Sequence, residues 1–209
     1  MATRTKKVPP HLRVRRRPED GEREILDATE ALLEQRDFRD LTVDEVMSGT
    51  GMVRSAFYNY FESRNELVMR LLQRIEVEMM EASGTWLDQP LDDPAAEIEA
   101  GLLEVAQIYA RHGPVMRAIH EASYHDREVE LYYRQGLIQN FIEAVALRIR
   151  EENEAGRADV DHPEEVARAL LILNSNLFVE RLGRGADSPE AVAATLALIW
   201  RRTIYPASA

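Results

Sequence analysis

The chain has no cysteine in its 209 residues, which excludes disulfides and thiolate metal sites. No apolar run reaches the roughly 18 residues of a membrane span. The opening, MATRTKKVPPHLRVRRRPED, lacks the apolar stretch of a secretory signal. Together these absences read as a soluble cytoplasmic protein. Alternating strand patterns with turn dipeptides are missing, and no internal repeat recurs at a solenoid period. There is neither a glycine loop for phosphate nor a G-x-S-x-G elbow. His120 and His125 are five residues apart, about 140° around a helix, whereas a metalloprotease helix needs a spacing of four. The expectation is a protein without enzyme activity, catalytic residues, metal or cofactor.

Hydrophobic residues make up 45% and charged residues 30%, ordinary values for a globular chain long enough to bury a core. The net charge is −11, which taken alone argues against a nucleic-acid partner. Its distribution says otherwise. Residues 1–17 hold seven cations (Arg4, Lys6, Lys7, Arg13, Arg15, Arg16, Arg17) and no acid, so removing them leaves the remainder at −18. A basic arm on an acidic body is the asymmetry of a nucleic-acid-binding tail, while the same composition also suits a solubilising disordered segment. Residues 1–18 are expected to be disordered.

From Glu19 onward the signals are helical. Ile25, Leu26, Thr29, Leu32 and Leu33 follow the helical period, predicting a first helix over roughly 20–35. Thr42, three residues before Glu45, forms a capping box at the start of a second helix, which Gly51 closes. A third helix runs from Val53 to Tyr60. Ser63 and Glu66 repeat the capping signature, and a fourth helix follows through Leu67, Leu71, Leu72, Ile75 and Met79 to about Ser83. TWLDQPLDDPAAE reads as a loop, with Asp93 as cap and Pro94 as first residue of the fifth helix. A sixth helix covers about 114–122 and a seventh about 127–155, ending at Gly156. The eighth starts at Pro163 and the ninth at Ser188-Pro189. These last two, VARALLILNSNLFVERL and AVAATLALIW, are apolar nearly all round, so each needs cover on more than one side. A second copy across a two-fold axis supplies that cover most simply; a central place in the monomer is the alternative.

The stretch GTGMVRSAFYNYFESRNEL joins the second and third helices through a glycine, as a helix-turn-helix does. Phe57 and Phe61, four apart, face the core. Arg54, Ser55, Tyr58 and Asn59 then point elsewhere, with Tyr60 at the edge. Arginine suits guanine edges or phosphate, asparagine suits adenine, and a tyrosine hydroxyl can hold phosphate.

At these residues the chain resembles the TetR family of transcriptional regulators. SAFYNYFESRNEL follows the family's run at Phe57, Tyr58, Tyr60, Phe61, Ser63, Arg64 and Leu67, and the resemblance covers about residues 20–68. The segment NLFVERLGRGADSPEAVAATLALIWRRTIYP is similar to the C-terminal part of the family's EthR-type subgroup at Leu177, Phe178, Ile199, Trp200, Ile204 and Tyr205. The resemblance implies an all-α fold of about nine helices. Residues 19–66 would form a three-helix DNA-binding head, and residues 67–209 a ligand-binding and dimerisation domain. It implies a repressor that binds a palindromic operator of double-stranded DNA as a homodimer through its last two helices, released or re-spaced by a small apolar effector.

The expected DNA-binding set is Thr42, Arg54, Ser55, Tyr58, Asn59, Tyr60 and Arg64, of which Tyr58, Tyr60 and Arg64 fall on the family's run. The effector would meet Ile98, Leu102, Val105 and Tyr109 on the fifth helix. Tyr133 and Leu137 would come from the seventh, Leu170 and Asn174 from the eighth, and Trp200 from the ninth. Two positions depart from the family pattern. Val53 stands where Ser or Thr caps the recognition helix, and Ala56 where Thr offers a hydroxyl to the DNA backbone. A dimeric ligand-binding or interaction protein that has lost specific DNA binding is therefore the alternative reading.

Overall fold

The computed structural model describes residues 17–88, 94–185 and 187–205. Among these, every regular element is helical: α1 (Pro18–Leu33), a 3-10 turn (Phe38–Asp40), α2 (Val43–Ser48), α3 (Arg54–Phe57), α4 (Arg64–Asp88), α5 (Pro94–Arg111), α6 (Gly113–Ala122), α7 (Arg127–Glu130), a π-helical segment (Leu131–Ile138), α8 (Gln139–Glu154), α9 (Pro163–Leu182) and α10 (Pro189–Ile204). The α7, π and α8 pieces are continuous, so nine helical rods result, matching the all-α expectation. No described helix is long and apolar enough to cross a membrane. The basic arm up to residue 16 and the cap expected at Asp93 lie outside the described residues.

Local chemistry explains the head. Pro18 opens α1, where its missing N–H costs nothing, and Glu19 and Asp20 sit at the positive end of the helix dipole. The helix buries Ile25, Leu26 and Leu33, together with Thr29, whose hydroxyl donates to the Ile25 carbonyl at 2.8 Å. The capping box at α2 is present: Glu45 N donates to Thr42 Oγ1 at 3.2 Å, and Thr42 N to Glu45 Oε2 at 2.8 Å. At α4, Glu66 N donates to Ser63 Oγ at 3.1 Å, but the Glu66 carboxylate reaches back to Glu62 N rather than Ser63 N. Phe57 and Phe61 are fully buried with ring centroids 5.4 Å apart, each contributing about 1.5–3 kcal/mol by burial.

Several boundaries differ from the sequence expectation. The second helix ends at Ser48 with Gly49 as its C-cap, and Gly51 takes its left-handed φ of 65° two residues further on, within the turn. The third helix is regular only to Phe57. Beyond it, Asn59 N and Tyr60 N bond to carbonyls three residues back, which tightens the chain into turns. The fourth helix continues to Asp88, past Ser83 and into the expected loop. The expected division at residue 66/67 falls inside α4, so one rod belongs to both head and body.

In the body, α5 packs against α4, α6, α9 and α10, and α8 packs along α9. The junction of α6 with the end of α9 is unusually close. A Cβ on Gly113 would meet Gly183 Cα, Gly183 O and Leu182 O, each at 3.0 Å. From this junction α6 reaches the head. Arg117 donates to Gly183 O at 2.7 Å and pairs with Asp37 at 3.6 Å. Arg39 of the 3-10 turn stands 3.8 Å from Glu121.

Candidate functional site

The head presents one polar surface. Arg54, Ser55, Tyr58 and Asn59 are all exposed, carried by α3 and the turn after it. Tyr58 keeps 56% of its surface in solvent although it packs edge-on against Phe57 at 5.3 Å. Arg54 faces Asp44 at 3.4 Å, with both side chains mostly exposed; such a pair contributes at most about 1 kcal/mol and yields easily to a phosphate. Val53 is the N-cap residue of α3, makes no side-chain cap bond and is 71% exposed. Thr50 holds the turn instead: its buried hydroxyl donates to Met47 O at 2.9 Å and accepts from Met52 N at 3.2 Å.

The other three residues expected at DNA are engaged within the chain. Thr42 is exposed but its hydroxyl is committed to the α2 cap. Tyr60 is partly buried, and its hydroxyl fills the space that a Cβ on Gly21 would need. The Arg64 guanidinium donates to Leu41 O and lies 5.5 Å above the Phe38 ring. These contacts tie the start of α4 and the end of the turn to α1 and to the α1–α2 connection. The structure thus groups four of the seven at one surface and uses the rest to build it.

In the body, an apolar cavity of about 90 Å³ lies between α4, α5, α8, α9 and α10. Ile98, Leu102, Val105, Tyr109, Asn174 and Trp200 line it, as expected from sequence. Asn174 has a partner: Trp200 Nε1 donates to Asn174 Oδ1 at 3.1 Å, which satisfies both buried polar groups. Asn176, the other asparagine of this helix, is exposed and donates to Ile172 O at 2.7 Å. Tyr109 is fully buried against Phe178, ring centroids 5.0 Å apart. Burial drives its hydroxyl well above the usual tyrosine range, and neighbouring Tyr133 adds to the shift.

Tyr133, Leu137 and Leu170 do not line this cavity. Leu170 is plain core, Leu137 belongs to a shallow groove beside Met69 and Asn140, and Tyr133 lines a separate polar groove. Tyr133 and Leu137 lie within the π segment, whose wider turn changes their angular phase from that of a regular α-helix, whereas Leu170 on α9 simply faces the core. Ile138, Phe141 and Val145 face the cavity instead, joined by Phe178 and Leu171 from α9 and Met79 from α4. Phe178 was legible as the residue four after Asn174, and Ile138, Phe141 and Val145 were legible as one face at spacings of 0, +3 and +7.

A capped helix, a glycine turn and an exposed second helix, joined by one rod to a larger helical body with an apolar cavity, define a regulator of the helix-turn-helix class. The family described as bacterial regulatory proteins, tetR family, matches residues 25–71, and the C-terminal domain of the transcriptional regulator EthR matches residues 98–206. The chain belongs to the TetR family of transcriptional regulators, with an EthR-type C-terminal domain. A relative from Mycolicibacterium smegmatis, named HTH-type transcriptional regulator EthR, is 29% identical over 98% of this chain and 96% of its own. Its namesake from Mycobacterium tuberculosis is 33% identical over 90% of each chain. Among solved structures, PfmR from Thermus thermophilus shares the fold with a TM-score of 0.70 at 19% identity, over 85% of this chain and 97% of that one. NalD, the secondary repressor of the MexAB-OprM multidrug efflux pump in Pseudomonas aeruginosa, has a TM-score of 0.70 at 19% identity, over 91% and 98%.

Proposed function

We propose that this regulator is a ligand-responsive repressor that binds a palindromic operator as a homodimer. The observation that carries the proposal is the exposed group Arg54, Ser55, Tyr58 and Asn59 on a head where Thr42 and Arg64 are internally paired. Residues 19–66 act as the DNA-binding part and residues 67–209 as the effector and dimer part. Dimerisation is supported by one face of each of the last two helices. Ala169, Ile172, Leu173 and Asn176 on α9, and Ala191, Ala194, Thr195 and Leu198 on α10, are all exposed at spacings of 0, +3, +4 and +7. Such a stripe packs against its own copy across a two-fold axis.

The cavity is small beside ordinary ligand pockets of roughly 300–1,000 Å³. An elongated apolar effector therefore has to part α5 from α8 and α9. The close Gly113–Gly183 junction and Arg117 pass such a displacement through α6 to the 3-10 turn of the head. Two heads must sit about 34–36 Å apart to enter successive major grooves, so a ligand that fits one spacing shifts the population towards it.

The test is selection of genomic fragments by the purified protein, then titration of the recovered site at two salt concentrations. We expect a palindrome, bound about 10³-fold or more above non-specific DNA, with Arg54→Ala or Tyr58→Ala each lowering affinity by about tenfold or more, the worth of one good base or phosphate interaction. Deleting residues 2–17 should reduce the salt slope by about 0.9 for every phosphate that the arm neutralises. The uncapped Val53 and the Arg54–Asp44 pair favour a second reading, a dimeric ligand-binding or interaction protein without operator binding. Weak, sequence-blind binding that vanishes with salt would select it.

A further inference from the structure

Beside the apolar cavity lies a larger polar groove of about 610 Å³, bounded by α6, the π segment, α8 and α9. Ile138 and Ser175 belong to the walls of both spaces, so one molecule passing between these side chains reaches the two. The groove brings two arginines to one place. Arg168 donates to Gln139 Oε1 at 3.2 Å and is only 3.9 Å from Glu165 at its outer side. Arg134 has no carboxylate within ion-pair distance among the described residues; its guanidinium lies 5.1 Å above the Tyr124 ring. The one carboxylate facing the groove, Glu130, is engaged by Arg127 at 3.1 Å. His120 also faces it. Burial holds the imidazole below its usual pKa against the opposing contact with Asn176, and Arg134 adds to the lowering, so it is uncharged at neutral pH. Arg134 is therefore the cation that this groove leaves without an acidic partner among the described residues, with Arg168 shared between Gln139 and Glu165.

A second observation points to a ligand. The Tyr133 hydroxyl is buried facing the Tyr109 hydroxyl on the wall of the apolar cavity, which is its neighbour for hydrogen bonding although the contact is poorly aligned. A buried pair of hydroxyls in poor alignment leaves bonding capacity that a ligand can take up. It is held there by an eight-residue π-helical segment, a form that occurs mostly as single turns and often at functional sites.

We propose that this groove holds the anionic head of an amphipathic effector, a medium-chain carboxylate whose alkyl tail fills the apolar cavity. Arg134 and Arg168 supply the positive charge, and Tyr133 supplies a hydrogen bond from within. The proposal rests on the effector reading above and narrows it from an apolar ligand to an acid.

Calorimetric titration of the full-length protein with decanoate, decan-1-ol and acetate tests it. The three probes carry tail with charge, tail alone and head alone. Decanoate is expected to bind about tenfold or more tightly than decanol, the return expected from a charge-assisted hydrogen bond, and acetate not at all. Arg134→Gln should remove that preference while leaving decanol affinity unchanged. Equal affinity for acid and alcohol, or an Arg134→Gln variant that keeps the preference, overturns the proposal and leaves the apolar-effector reading standing. Acetate binding as tightly as decanoate would mark an anion site unrelated to the cavity and also overturns it. Ile172 and Asn176 line the groove and belong to the face proposed for dimerisation, so a second copy that closes the groove would keep decanoate from its head site and overturn this proposal.

Discussion

Replacing Glu152 by Gln should destabilise this protein far more than an ordinary ion-pair loss. The carboxylate is completely buried and meets Arg157 Nε and Nη2 at 2.7 and 2.8 Å, with Arg148 Nη2 at 2.9 Å. Arg148 itself is 4% exposed, whereas Arg157 is 44% exposed. When the charge at 152 is removed, Arg157 can turn to solvent, whereas buried Arg148 keeps only the half-exposed Glu151 at 3.4 Å. A buried charge stripped of its buried partner costs up to about 3–5 kcal/mol, and for a chain of this size that lowers Tm by up to roughly 6–20 °C. Arg157→Ala leaves the Arg148–Glu152 pair in place and should cost clearly less. Replacing both buried partners, Arg148→Met with Glu152→Leu, should recover most of the loss.

The pH dependence of the same group has a definite sign. Hydrogen bonds from Arg157 hold the Glu152 carboxyl below its usual range against the opposing effect of burial, with Arg148 adding to the lowering. A depressed folded pKa means that stability is fully present above the unfolded value of about 4.3 and is lost as pH falls through the folded value. Thermal unfolding followed by circular dichroism from neutral to strongly acid solution should show wild type and Glu152→Gln converging at the acid end. A loss under about 1 kcal/mol at neutral pH, the value of a surface pair, would refute the reasoning.

Other outcomes follow from single contacts. Val53→Ser should cap α3 and add about 1 kcal/mol of stability, with tighter operator binding; unchanged unfolding and binding would mean that α3 needs no cap. Leu198→Glu places a charge in the middle of the exposed α10 stripe and should convert a dimer to a monomer in sedimentation equilibrium; an unaltered mass would move the interface elsewhere. Gly113→Ala forces a methyl against backbone atoms of α9 and should cost about 1–3 kcal/mol by overpacking, read as a lower denaturation midpoint, since none of the atoms it meets belongs to a flexible side chain.

The features that sequence reasoning read correctly are those decided over three or four residues. Thr42 and Glu45 cap α2 because their side chains reach each other's backbone directly. Pro94, Pro163 and Pro189 open helices because a missing N–H is harmless in the first turn. Phe57 and Phe61 share a buried face because the helical period puts them there. The same period turned Arg54, Ser55, Tyr58 and Asn59 away from that face, and the family resemblance rests on the same short-range pattern.

Packing between distant residues accounts for the rest. No local signal says that Tyr60 turns onto Gly21, 39 positions earlier in the sequence, or that Arg64 is taken up by Leu41 O and Phe38. An arginine or tyrosine on a recognition segment reads the same whether it faces solvent or a neighbouring helix. The π segment had the widest effect. An inserted phase change is invisible to periodicity, which assumes a constant turn: Tyr133, within it, lines the polar groove, while Ile138 at its end and Phe141 and Val145 beyond it line the apolar cavity. Which segments become helices, and which of their faces are apolar, was readable from residue order, because those are properties of near neighbours. Which apolar faces close on each other and which leave a space was not, because that depends on how rods of fixed shape meet.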